Sequence, residues 1–365
     1  MRLLNAKNII LFLLTLSIVF VIGLLVIYSN PVKKTENITN GESSSSVVSS
    51  SDTSEEEIVY EDPYIEESSS SSIDTKTDGK FKILFTGDNM LGRSVGERIS
   101  KGENPYIHVM DFLKSYELVY INFETSMGES KEGSPQKGKA YTFRAPLRSM
   151  EVLKEANISI LGLANNHIRD YGANVITSMM SRFDENGFTY FGVGKNIEDA
   201  FKVKYLEYEG TKIAFFGVNA IEGVYNNVGK STPGAAYFDE GRIKTAIKDA
   251  RTKADIVIVF PHWGKERIKT SNEFQEKWGK IFVDNGADLV IGMHAHVIQN
   301  VGVYKEKYIY YSLGNYVFEE DPAVDTGLNV ELSIEDKKMK ELKEYEVKIS
   351  GSYPTTVTER KTIPL

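Results

Sequence analysis

DIVIVFPHWGKE, residues 255–266, opens on an apolar run rich in Ile and Val and breaks at Pro261, His262 and Trp263. A run this short and this β-branched reads as a strand covered on both faces rather than as a helix. On its amino-terminal side, GRIKTAIKDARTKA (241–254) has the spacing of an amphipathic helix. On its carboxyl-terminal side the stretch after Thr270 reads as another helix. There Thr270 and Glu273 have the spacing of a capping box, Phe274, Trp278, Ile281 and Phe282 form an apolar face, and Gly286 stands where the helix should stop. A second buried run, DLVIG (288–292), follows. Working outward, FKILFTG (81–87), LVYIN (118–122), ISILGLA (158–164) and KIAFFGV (212–218) repeat the strand pattern, and PLRSMEVLKEAN (146–157) adds a helix. Such alternation over 80–365 predicts an α/β domain with sheet covered by helices. YIYYSLGNYVFEE (308–320) is β-rich, and NVELSIEDKKMKELKEYEVKIS (329–350) reads as a terminal hairpin on a sheet edge.

Upstream of this domain the composition changes twice. Ile9–Tyr28 runs IILFLLTLSIVFVIGLLVIY without a charge. Twenty residues at about 1.5 Å each span about 30 Å, the thickness of a bilayer core. The competing reading is a cleaved signal peptide, but such apolar cores are about 7–15 residues long, and IYSNPVKK is a poor cleavage site. Residues 1–28 are therefore expected to be a short cytoplasmic amino terminus and one transmembrane helix. Arg2 and Lys7 before the span, against Lys33 and Lys34 after it, only slightly favour that orientation. Residues 29–79, with Ser43–Ser46, Ser68–Ser72 and Glu55–Glu57, hold too few apolar groups to offset ordering entropy and read as a disordered linker. The expectation is a single-pass cell-membrane protein with its carboxyl-terminal domain outside the cytoplasm.

The formal net charge of −8 on 365 residues says little about partners. Residues 31–80 carry 4 Lys against 12 Asp and Glu, whereas 81–365 carry 37 basic and 39 acidic residues. The folded part is nearly neutral, so a nucleic-acid partner has no support. The absence of cysteine excludes a disulfide scaffold, a Cys-ligated zinc site, an iron–sulfur cluster, a thiol nucleophile and a lipoprotein anchor. No Walker loop, nucleophile elbow or HExxH helix occurs.

Of five histidines, His108 lies in NPYIHVMDFLKSY, read as an amphipathic helix, and is expected to be structural or surface. The other four follow strands: His167 in LANNHIRDYG, His262 in PHWGKE, and His294 and His296 in GMHAHV. Asp88 follows the first strand, Glu124 closes the second, and Asn165 and Asn166 accompany His167. Ligands in open α/β folds bind at the carboxyl ends of strands, so five strand ends bearing these side chains predict one shared site. Imidazole nitrogens mixed with carboxylate and amide oxygens suit manganese, iron, zinc or magnesium. The count suits two ions, which clamp the attacking and leaving oxygens of a phosphoryl displacement. His294 and His296, on alternate residues, would point the same way from an extended loop.

GDNMLGR (87–93), INFET (121–125), LANNHIRDYG (163–172), PHWGKE (261–266), GADLVIGMHAHVIQNV (286–301) and YSLGNYVF (311–318) occur in that order. Together they resemble the CapA family of poly-γ-glutamate capsule biosynthesis proteins, within the calcineurin-like metallophosphoesterase superfamily. The resemblance covers roughly 80–325. It implies a four-layer α-β-β-α sandwich and attachment to the membrane beside capsule-synthase subunits. It also implies roles: Asp88, Glu124, Asn166, His262, His294 and His296 as ligands of one or two divalent ions, and His167 with Asp88 as the catalytic residues. His167 would protonate a leaving group or stabilise phosphate. One departure matters. The superfamily's Asp-x-His is here Asp88-Asn89-Met90, which removes an imidazole from the first ion. Ala295 stands where the family often has Pro. Arg144, Asn165 and Glu266 are further candidates for contacting an anionic substrate, Glu266 also as an acid orienting an imidazole.

The function expected on this resemblance is synthesis or export of an anionic capsule polymer by a metal-dependent phosphoesterase-type head. Two other readings stand beside it: a non-catalytic, polymer-binding subunit of the synthase, and a general cell-envelope metallophosphatase.

Overall fold

Alternate residues of the strand Lys80–Asn89 serve two different cores. Ile83 and Phe85 join Tyr120, Ile160, Phe215, Ile258, Phe260 and Leu289 in one buried cluster. Leu84, one step out of phase, faces the other way with Val119, Ile121 and Leu161 and packs on Val95, Ile99, Ile176, Met179 and Phe183 of the flanking helices. The strand Ile256–His262 repeats the division. Ile256, Ile258 and Phe260 enter the shared cluster, while Val257 and Val259 meet Ile243, Ile247, Trp278 and Phe282 on the opposite side. Two sheets therefore pack face to face with a helix layer on each outer face, an α-β-β-α sandwich. The computed structural model describes residues 79–221 and 223–365. The expected anchor, 1–28, and the expected linker, 29–79, fall outside these residues except for Gly79. Among the described residues no helix is long and apolar enough to cross a membrane.

The first sheet has the order Tyr353–Pro364, Lys338–Ser350, Thr326–Glu335, Lys80–Asn89, Leu118–Phe123, Ile160–Gly162, Thr189–Phe191, with Asn315–Val317 added beside the end of Lys80–Asn89. The second runs Val301–Tyr304, Lys307–Tyr310, Leu289–Ile291, Ile256–His262, Thr211–Asn219, Lys204–Tyr208. Lys80–Asn89, Leu118–Phe123 and Ile160–Gly162 run parallel, as do Thr211–Asn219, Ile256–His262 and Leu289–Ile291. Their carboxyl ends consequently open on the same edge of each sheet.

All six buried runs read from the sequence are strands, but three local expectations need correction. The helix Glu273–Asp284 is capped by Asn272 and not by Thr270: Asn272 Oδ1 accepts from the Gln275 N–H at 2.9 Å, and Gln275 Oε1 accepts from the Asn272 N–H at 3.1 Å. Asn is at least as good a cap as Thr, and Gln275 completes the reciprocal box. NPYIHVMDFLKSY forms a 3-10 turn, Ile107–Val109, and a short helix, Met110–Lys114, with His108 exposed. The tail is more than an edge hairpin. Thr326–Glu335 and Lys338–Ser350 do form one, through Asp336 and Lys337 with φ of 51° and 65°, the left-handed pair that a two-residue hairpin turn requires. Yet Thr326–Glu335 pairs antiparallel with Lys80–Asn89 at the middle of the sheet, and Tyr353–Pro364 adds a third strand.

Glu331, 1% exposed, cross-links this tail to the domain. Its carboxylate accepts from Tyr116 Oη at 2.9 Å and Tyr345 Oη at 2.8 Å and pairs with Lys82 Nζ at 2.9 Å. Burial raises its pKa, but the Lys82 ammonium and the two hydroxyls together hold it below the ordinary value of 4.5. A depressed carboxyl contributes stability above its unfolded pKa and loses it as pH falls through the folded one. Glu331→Gln should cost about 1–3 kcal/mol at neutral pH. Urea unfolding of the two proteins should show that gap closing below pH 4.5; a gap independent of pH would contradict this account.

Candidate metal centre

Asp88 stands at the end of Lys80–Asn89, fully buried and in register with Asn122 and Asn315 on its two neighbours. Gly87 makes this possible: a Cβ there would lie 2.1 Å from the Gly314 carbonyl oxygen, so any larger residue would push Asn315–Val317 away. Asp88 Oδ1 accepts from Asn122 Nδ2 at 2.7 Å, and Oδ2 accepts from the His294 N–H at 3.1 Å. Glu124 follows Leu118–Phe123 and is also fully buried. Its Oε1 lies 3.5 Å from His262 Nε2, 3.9 Å from His296 Nε2 and 4.0 Å from His167 Nε2. Neither of its oxygens has a hydrogen-bond partner, and the buried His294 Nδ1 has none either.

The histidine loop is not extended. His294 and His296 have φ of 93° and 57°, left-handed values that non-glycine residues rarely adopt. The turn, rather than strand alternation, sets their rings 5.8 Å apart, with His262 4.8 Å from His294. Backbone strain of this kind is held by its surroundings. Gly292, where a Cβ would meet the Tyr311 carbonyl oxygen at 2.2 Å, and Trp263 Nε1, which donates to that same oxygen at 2.8 Å, fix the loop's start.

His262 receives a hydrogen bond on Nδ1 from Asn122 Nδ2 at 3.3 Å and donates from Nε2 to Asn166 Oδ1 at 2.8 Å. His167 is organised differently. Its Nδ1–H donates to Asp170 Oδ2 at 2.7 Å. Asp170, fully buried, is itself held by Lys139 Nζ at 2.9 Å and by the Phe143 N–H at 2.6 Å. Phe143 stacks on the imidazole with ring centroids 3.9 Å apart. The ring lines a cleft of about 340 Å³ together with His296, Asn315 and Phe318.

Charge balance at the centre favours a cation. Burial would raise the Glu124 carboxyl, but His296, His262 and His167 around it bring it below the ordinary carboxylate range. Burial would lower His296, yet Glu124 and Asp88 push it up to about 9. His294 is driven well below the usual histidine value by burial and by the neighbouring His262 and His296, so it presents a neutral ring. Glu124, His294 and His296 offer donor atoms within 4.8 Å of one another, as do Asp88, Glu124 and His262. With metal–ligand bonds of about 2.0–2.3 Å, each triad can close on a divalent ion. Glu124 belongs to both and could bridge two. The orphaned Glu124 oxygens are what a divalent ion would satisfy, and the donor set fits it.

Asp88, Glu124, Asn166, His262, His294 and His296 thus converge, with His167 beside them. Three other candidates hold no part of the cluster itself. Asn165 turns inward, donating to the Phe123 carbonyl at 2.9 Å and accepting from the His167 N–H at 3.1 Å, and so shapes the turn. Arg144 donates to the Glu132 carbonyl at 3.0 Å, lies 4.2 Å over the Tyr171 ring and does not line the cleft. Glu266 is exposed on the rim and hydrogen-bonds neither nitrogen of His262, which face Asn122 and Asn166 instead. Sequence reasoning missed Asn122 and Asp170. A polar residue inside the wholly buried LVYINF, and an acid three residues after a histidine, were the available signals.

A two-sheet sandwich with a buried carboxylate–imidazole cluster at its strand ends defines an α/β protein whose cluster is able to coordinate a divalent cation. The chain belongs to the family described as bacterial capsule synthesis protein PGA_cap, whose model matches residues 82–320. It is 33% identical over 248 residues to the capsule biosynthesis protein CapA of Bacillus anthracis, covering 66% of this chain and 60% of that one. It is 31% identical over 252 residues to the PGA biosynthesis protein CapA of Bacillus subtilis (strain 168), covering 68% and 66%. The chain therefore spans 60% and 66% of the lengths of these two relatives. Among solved structures, a 5'-nucleotidase precursor from Thermus thermophilus overlaps 76% of this chain and 56% of its own at a TM-score of 0.44 and 12% identity, too loose a likeness to argue from.

Ligation is testable without any assay of chemistry. At a hundred times its Kd, a divalent ion should stabilise the fold by about 2.7 kcal/mol, read as a rise in Tm. Glu124→Ala should abolish the rise. A wild-type Tm indifferent to manganese, iron, zinc and magnesium would sink the assignment.

Proposed function

We propose that this chain is a membrane-anchored, extracytoplasmic protein of capsule-polymer synthesis or export, and that its folded domain is a divalent-metal-dependent hydrolase of phosphoesterase type. Family membership supports the pathway, and the apolar span 9–28 ahead of the Ser/Glu-rich stretch supports the topology. The observation that carries the chemistry is Glu124: a fully buried carboxylate, unpartnered at both oxygens, ringed by His167, His262 and His296. Asp88, Glu124, Asn166, His262, His294 and His296 would hold the cation. When bound, it supplies Lewis acidity toward a phosphoryl or carbonyl oxygen and acidifies a water.

The remaining work falls to His167. Its Nδ1 proton is engaged by Asp170, which fixes the tautomer and leaves Nε2 as the atom able to accept a proton or pass one to a leaving group. The Lys139 ammonium and the Phe143 N–H keep Asp170 in place, and Phe143 shields one face of the imidazole from water.

A second reading rests on Met90, which stands where the resembled Asp-x-His pattern would place an imidazole. Its side chain is fully buried and its Sδ accepts from the Gly92 N–H at 3.2 Å, so this position supplies no imidazole. The first ion would then lack a protein ligand, which favours a subunit that uses metal to bridge polymer carboxylates without cleaving them.

Turnover of a chromogenic phosphoester by the metal-loaded protein separates the two. His167→Ala should retain metal and lose turnover by roughly 10²–10⁴-fold, with Asp170→Asn following in the same direction. His294→Ala should lose metal and turnover together. Full metal occupancy with no turnover, and a capsule defect in His294→Ala cells, would reverse the order of the two readings.

A further inference from the structure

Two arginines line the cleft, and neither belongs to the metal centre. Arg93 follows the first strand's loop; Arg267 follows PHWGKE and is tied to the histidine turn by its N–H, which donates to the Ala295 carbonyl at 2.7 Å. Both have left-handed backbones, with φ of 48° and 63°. Both guanidinium groups already hold carboxylates of one short segment. Arg93 Nε lies 3.1 Å from Glu319 Oε2, whose other oxygen accepts from Ser94 Oγ at 2.9 Å. Arg267 donates to Asp321 Oδ2 at 2.5 Å. The Arg93 guanidinium also lies 5.3 Å from the ring of Tyr141, which is 61% exposed. Phe318, Glu319, Glu320 and Asp321 line the same cleft as His167 and His296, so this acidic strap sits at the mouth of the site.

We propose that Arg93 and Arg267 are the cleft's receptors for successive carboxylates of a polyanionic chain, and that Glu319 and Asp321 are internal stand-ins for that chain. The proposal rests on the capsule-polymer reading and names the feature of the polymer that is recognised. The pairs are suited to exchange. Their arginines are 40% and 61% exposed, and ion pairs this open contribute little and are screened by salt. A planar guanidinium donates two parallel hydrogen bonds to a carboxylate, which a lysine would not reproduce.

The test is the binding of a fluorescein-labelled γ-linked glutamate decamer to the full chain, followed by anisotropy with chelator present and with Tm as the check on folding. Arg93→Gln and Arg267→Gln should each weaken binding by about tenfold, and the double variant by about a hundredfold. Glu319→Gln and Asp321→Asn should tighten it by removing the competing carboxylates. Wild-type affinity in both arginine variants would overturn the proposal, as would weaker binding in the two acid variants. Displacement of the labelled decamer by inorganic phosphate at lower concentrations than by unlabelled decamer would also overturn it, since a single phosphate would then be what the arginines hold. Because the assay excludes metal, its outcome is separate from that of the turnover experiment: loss of chemistry leaves the arginine result standing, and the reverse.

Discussion

The site exists because three aromatic rings lock one sheet against the other beneath it. Phe85, Tyr120 and Phe260 meet between the layers, with Tyr120 and Phe260 4.4 Å apart and Phe85 5.9 and 5.8 Å from them. Further along the same three strands or just past them come Asp88, Glu124 and His262. Slippage of one sheet over the other would separate the two carboxylates from His262 and leave Glu124 buried with His167 alone of the imidazoles on its own sheet. The apolar contact is non-directional and large; the polar cluster above it is directional and cannot assemble itself. Packing thus comes first in the order of causes, and the chemistry inherits its geometry.

Glu124 is also costly to bury. A carboxylate out of water and without hydrogen bonds is unfavourable unless positive charge surrounds it. The protein supplies imidazoles for this, raising His296 and lowering His294, so two residues of one short turn play opposite electrostatic parts. Natural active sites often carry such local instability while the scaffold holds it in place. Here the scaffold includes Gly87 and Gly292, which let backbone approach where no side chain would fit.

Much of this was legible in the sequence, for a physical reason. Parallel strands covered on both faces must be short, apolar and β-branched, so they announce themselves, and the polar residue that ends each one marks the open edge. Asp88, Glu124, His262 and the His294–His296 pair were found that way. What the sequence did not disclose depends on contacts across the fold. The left-handed turn at His294 and His296 is set by the approach of Tyr311 and Trp263. The role of Asn122 is set by the register between two strands, and the Asn272 cap by a choice among adjacent polar residues that differ little in energy. Arg144 and Arg93 look alike on paper; only the path of the chain takes one to the Glu132 carbonyl and the other into the cleft.

The strand Lys80–Asn89 is flanked on one side by Leu118–Phe123 and on the other by Thr326–Glu335, with Asn315 against Asp88. The hydrogen bond from His294 to Asp88 alone joins residues 206 apart in sequence. A chain emerging from the ribosome therefore cannot pair both sides of Lys80–Asn89 until Thr326–Glu335 has appeared. Loop closure on this scale is slow, and the waiting strand is an unpaired edge in the meantime. A product of interrupted synthesis would have its early acids but not the pairing partners that bury them. Assembly of the centre thus waits on Asn315–Val317 and Thr326–Glu335, and protection of the nascent chain becomes a requirement of this topology.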